Sequence, residues 1–188
     1  MKPWIVVLIV IVVILVIFGG WFIRGLNSVV ILDENVQTAW AQVENQLQRR
    51  NDLIPNLVNT VKGYASHESD LFTKVTELRS QWGKAQTRAD KISAAEGMGG
   101  VLSRLLLVAE NYPQLKANQN FLSLHAQLEG TENRIAVERN RYNRAVRSFN
   151  TYIRTVFGSF FASMRGLKEP AEYFEAEAAA KAVPKVEF

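Results

Sequence analysis

Residues Trp4 to Ile23 form twenty consecutive positions with no charge and no hydrogen-bonding aliphatic side chain. Gly19 and Gly20 are the only small residues in this Val, Ile and Leu run. At about 1.5 Å per residue, a helix of that length spans about 30 Å, the hydrocarbon thickness of a bilayer. Trp4 and Trp21 lie near its ends, where indole rings favour the membrane–water interface, and Lys2 and Arg24 bracket it. A cleaved signal peptide would have a shorter apolar core and a small-x-small site beyond it; here Trp21-Phe22-Ile23-Arg24 follows. The run therefore reads as an uncleaved, single-pass transmembrane anchor. Lys and Arg near the two ends set orientation. Lys2 and Arg24 nearly balance, and the free amine tips the count toward a cytoplasmic N-terminus and an external, periplasmic body.

Cysteine is absent, which excludes disulfides, thiolate nucleophiles, Cys-ligated metals and lipoprotein acylation. The redox compartment stays open. Outside the apolar run and its flanks Lys2 and Arg24, 20 basic residues face 18 acidic ones, so the pI of 9.4 overstates any basic character.

Beyond the anchor the apolar spacing is helical, with no strand-length alternation between Leu26 and Val156. Val29, Leu32, Val36, Trp40, Val43 and Leu47 form one stripe at steps of 3 and 4. This segment can continue from the membrane helix, with Gly19-Gly20 as a soft point. Asn51 and Asp52 offer cap chemistry ahead of Pro55, which either starts a second helix or kinks a longer one. A second segment runs from Ile54 to Trp82, fades through Gly83–Glu96, and is broken by Gly97, Gly99 and Gly100. A short apolar helix is expected at Val101–Glu110, with a restart at Pro113. Phe121, Leu124, Leu128, Ile135, Tyr142, Val146, Phe149, Ile153 and Val156 then trace a heptad-like, coiled-coil seam along one helix expected over 114–157. Gly130 within it suggests close packing. The expected fold is all-α: a transmembrane helix (1–25) followed by an antiparallel four-helix bundle with long helices (26–168). Residues 169–188 form an acidic tail with apolar hooks at Tyr173, Phe174, Val186 and Phe188. That tail is either frayed or docked on a neighbouring subunit or partner.

No nucleotide-binding glycine motif, zinc-protease HExxH or serine-hydrolase GxSxG is present. His125, Glu129 and Glu132 share a helical face, but the paired Glu-x-x-His ligands of a di-iron bundle are missing, so no catalytic residue, cofactor or metal is assigned. Arg134, Arg139, Arg141, Arg144, Arg147 and Arg154 crowd the end of the long helix. Intervening acids and near-neutral charge argue against nucleic acid. Arg144 and Arg147 are candidate contacts for anionic lipid or another phosphate ligand, set against a plain solvated face. Arg49, Arg50 and Asp52 form a charged cluster beside Leu53-Ile54, and pairing of its arginines with Glu129, Glu132 or Glu138 would fix helix register.

Three blocks resemble the LemA family: QLQRRNDLIPNLV at 46–58 with Val61-Lys62-Gly63-Tyr64-Ala65 after it, AENYPQLKAN at 109–118, and LEGTENRIA at 128–136 continuing to Arg141-Tyr142-Asn143. The likeness extends to the Pro184-x-Val186-x-Phe188 ending. Where the family pattern carries a proline-bearing turn after the long helix, this chain has Val156-Phe157-Gly158-Ser159-Phe160-Phe161. The resemblance implies a bacterial inner-membrane protein with a helical bundle and no catalytic motif. It implies a scaffold or accessory role and a membrane zinc metalloprotease of the HtpX type as a candidate partner, while the anchor, the heptad-like helices and the hooked tail point to self-association into a homo-oligomer. The lipid bilayer is the other expected partner.

Overall fold

The computed structural model describes residues 3–174, and among them every regular element is helical. The helices are α1 (Pro3–Lys62), α2 (Ser69–Lys84), α3 (Arg88–Glu110), α4 (Pro113–Lys116), α5 (Gln119–Ile153) and α6 (Val156–Arg165). They divide into two compact units.

The first unit holds residues up to Trp40 together with Arg141–Tyr173. The apolar run lies in α1, and its Val, Ile and Leu side chains from Val6 to Ile17 are all exposed. Beyond it Val29, Val36 and Trp40 are buried, as are Tyr142, Val146, Phe149 and Ile153 of α5. Trp40 meets Tyr142 edge to face at 5.6 Å between ring centroids. The Tyr152 hydroxyl donates to the Gly25 carbonyl at 3.1 Å. Thr155 caps α6 by accepting from the Gly158 amide, and Gly166 ends that helix in the left-handed conformation at φ 70°.

The second unit, Ala41–Asn140 with Phe174, has one apolar core drawn from five helices, with Leu115 of α4 among its buried residues. Ile54, Leu57 and Val61 come from α1, and Leu71, Phe72, Val75 and Leu78 from α2. Met98, Leu102, Leu105 and Ala109 come from α3, and Phe121 and Leu128 from α5. The α1 and α3 sets repeat at steps of 3 and 4, and Phe121 and Leu128 lie two turns apart on α5, as helices burying one face require.

Several sequence expectations are corrected. α1 continues from the apolar run through Gly19-Gly20, unbroken for 60 residues, and carries Pro55 inside it rather than at the start of a second helix. Asn51 and Asp52 accordingly sit in mid-helix and cap nothing; the Asp52 carboxylate accepts from the Gln48 amide one turn earlier at 2.8 Å. The Ile54–Trp82 segment is two helices, divided at residues 63–68. The glycines at 97–100 do not break a helix. α3 starts at Arg88 with a reciprocal Thr87–Asp90 capping box, and it runs through them. Gly97 is tolerated because α2 approaches closely: a Cβ there would stand 2.9 Å from Leu78 Cδ2. The single helix expected over 114–157 is interrupted near Asn118, whose side chain accepts from the Asn120 and Phe121 amides and caps α5. Its seam ends at Ile153, and Val156 opens α6 with 82% of its surface exposed. Gly130 marks no close contact, since nothing lies within 4 Å of a Cβ built there.

Candidate functional site

The clearest polar constellation lies in the second unit, around Arg50. This residue sits on the α1 face that also carries Val43, Leu47 and Ile54, so its guanidinium enters the interior with only 5% of the residue exposed. One guanidinium nitrogen donates to Glu132 Oε1 on α5 at 3.1 Å. The other donates to the Ala95 carbonyl on α3 at 2.6 Å. The planar fork thus joins three helices through one side chain, a geometry that a single ammonium does not reproduce. Ala94 and Ala95 are both buried, and their short side chains let the guanidinium reach the α3 backbone. Glu132, one of the three acids expected near the cluster, pairs with Arg50. It remains half-exposed, with 46% of its side chain accessible.

Arg139 of α5 and Phe174 frame the same small cleft. The Arg139 guanidinium carbon lies 4.1 Å from the Phe174 ring centroid, a cation–π contact, and Phe174 is 3% exposed. Nearby, Lys91 of α3 pairs with Glu44 of α1 and lies 5.8 Å from the Trp82 ring, whose indole N–H donates to Gln48. An open groove of about 420 Å³ runs along α3 and α5, with Leu102, Leu106 and Leu128 as its apolar lining and His125, Glu129 and Glu132 as its polar lining. Among the described residues, no three His, Asp or Glu side chains gather where a metal could bind.

In the first unit, the segment after α6 lies along α5. The buried Asn150 side chain donates to the Ala171 carbonyl at 2.9 Å and accepts from the Ala171 amide at 2.8 Å. The fully buried Tyr142 donates its hydroxyl to the Glu172 carbonyl at 2.6 Å. The start of the tail is therefore held in cis, by Tyr142, which the sequence placed in the apolar seam, and by Asn150, which it did not single out. Tyr142 and Asn150 stand eight positions apart on α5, and a polar Asn beside the apolar seam was the available signal.

The other expected residues are dispersed. Arg49, Asp52 and Glu129 are exposed, and Arg144 and Arg147 are exposed without an ion pair among the described residues. Phe188 lies outside the described residues.

Residues 39–188 match the LemA family. The chain is 27% identical over 175 residues to magnetosome protein MamQ 2 of Paramagnetospirillum magneticum, covering 79% of this chain and 64% of that protein. It is 25% identical over 174 residues to magnetosome protein MamQ of Magnetospirillum gryphiswaldense, at 79% and 64% coverage. It is 25% identical over 157 residues to protein LemA of Metamycoplasma hominis, covering 81% of this chain and 71% of that one. The chain thus spans under two thirds of the length of the MamQ relatives it matches.

Proposed function

This chain belongs to the LemA family, and from that premise we propose that it is a non-catalytic, membrane-anchored helical scaffold that self-associates and organises a membrane partner. One observation carries the reading: a bilayer-length apolar stretch with no buried residue in its most apolar window forms one unbroken helix with segments that pack into a helical body. In soluble surroundings so many exposed Val, Ile and Leu side chains would aggregate; a bilayer covers them. In this reading 1–25 is the anchor of an inner-membrane protein, and 26–168 is the body, a four-helix bundle on the external side. Residues 169–188 form the tail. Self-association through the long helices presents several copies of the Arg50-braced surface to one partner. A membrane zinc protease of the HtpX type is the partner that the family resemblance implies. The relatives named as magnetosome proteins support a membrane-associated, non-enzymatic role.

The test is the mass of the detergent-solubilised full-length protein by light scattering, beside a version lacking residues 1–24. A discrete large assembly of the full-length chain is expected. A clean monomer of both would remove self-assembly from the mechanism.

A second reading draws on Arg144 and Arg147, which are exposed on α5 and unpaired among the described residues. Such cations suit an anionic lipid headgroup or another phosphate ligand. Binding that weakens steeply with salt, and is lost in Arg144→Glu/Arg147→Glu, would support it.

A further inference from the structure

The first unit carries a second apolar surface, on α6. At about 100° per residue, Val156, Phe157, Phe160 and Met164 fall within about 100° of the helix circumference. Their exposures are 82%, 63%, 52% and 54%. Gly158, Phe161 and Ala162, on the adjoining arc, are buried. That inner arc holds α6 against α1. The Phe161 ring centroid lies 5.3 Å from Trp21 and 5.6 Å from Phe22, and a Cβ on Gly25 would stand 2.2 Å from the Phe161 ring. Phe157 meets Trp21 at 5.3 Å, and Phe160 meets Phe22 at 6.4 Å.

These contacts place α6 beside residues 21–25, the end of the apolar run. The exposed α6 face therefore continues the lipid-covered surface of α1. Its edges carry a matching charge. Between Arg141 and Lys168 the basic residues are Arg141, Arg144, Arg147, Arg154, Arg165 and Lys168, and no acidic residue occurs. Arg154 precedes α6, while Arg165 and Lys168 follow its apolar face. A short helix with an aromatic apolar face, flanked by cations, has the composition of an element lying in the plane of a membrane interface. Aromatic rings concentrate at this level in membrane proteins.

We propose that α6 is a second membrane-contacting element. It lies in the headgroup region beside the anchor, with Val156, Phe157, Phe160 and Met164 toward the acyl chains and Arg154, Arg165 and Lys168 at anionic headgroups. This rests on the anchor reading above, and the test separates the two. The chain has no cysteine, so single nitroxide labels enter the full-length protein directly. Val10→Cys, Phe160→Cys, Met164→Cys and Ser159→Cys, all at exposed positions, are labelled in vesicles of phosphatidylcholine with phosphatidylglycerol. Collision with oxygen and with a water-soluble nickel chelate is then measured.

The oxygen-to-nickel ratio at 10, 160 and 164 is expected to exceed that at 159 several-fold. A lipid-buried label at 10 with labels at 160 and 164 open to nickel would overturn the interfacial helix and leave the anchor standing. A label at 10 open to nickel would overturn both. Labels at 160 and 164 shielded from both reagents would mean that protein covers the face, which also overturns the proposal.

Discussion

Arg50 and Glu132 form an ion pair of unequal members, and the inequality predicts how each fails. With only 7% of its side chain exposed, Arg50 loses its countercharge if Glu132 is removed and remains a buried cation. Glu132→Ala is expected to cost about 2 kcal/mol, below the ~3–5 kcal/mol of a fully buried pair because water reaches the glutamate side. Arg50→Met leaves Glu132 hydrated and the Ala95 carbonyl in its helical hydrogen bond, so it should cost about 1 kcal/mol. Urea denaturation of both variants checks the order, and equal losses would contradict it. Two glycines make an opposite pair. Gly130→Ala meets nothing and should stabilise by about 0.5–1 kcal/mol. Gly158→Ala would set a Cβ 1.9 Å from the Tyr152 carbonyl oxygen, and a loss of roughly 2 kcal/mol or more is expected in the same denaturation series.

At the scale of elements, caps and side-chain clamps decide where helices stop and how the following segment is held. The Asn118 and Thr87 side chains each satisfy amides at a helix start, and replacing either by Ala should cost about 1 kcal/mol, read from the thermal midpoint. The Asn150–Ala171 pair does for the segment after α6 what a strand pairing does elsewhere, matching one backbone amide and one carbonyl to a side-chain amide. Asn150→Ala should remove protection of the Ala171 amide in hydrogen exchange while leaving mid-α5 amides slow. Uniform loss along α5 would show that Asn150 holds the helix and not the segment.

For the whole molecule, the balance is between an exposed apolar stretch and a body of nearly even charge. A peripheral protein held by cations leaves membranes on washing with salt or alkali, whereas a spanning helix does not. The full-length chain is expected to stay in the membrane pellet through an alkaline carbonate wash and to be released only by detergent. Release by salt alone would contradict a spanning helix and favour attachment through the arginines.

Much of this was legible in the residues. The bilayer-length run, the helical spacing of Val29 through Leu47 and the seam from Phe121 to Ile153 follow from periodicity, because burying one helical face requires steps of 3 and 4. The need for Arg50 to meet an acid was also legible, because a cation on an apolar stripe must find a partner. Which acid it meets depends on the register of α1 against α5, and that is set by packing along both helices. The Ala95 carbonyl that completes the site has no side-chain signature at all. Gly97 could not be read either, since a glycine that breaks a helix and one that lets a neighbouring helix approach look alike until the neighbour is in place. The same holds for α6: its apolar residues are plain in the chain, but only the tertiary contacts with Trp21, Phe22 and Gly25 bring them to the end of the apolar run. Local pattern determined which faces must be covered, and the long-range packing decided what covers them.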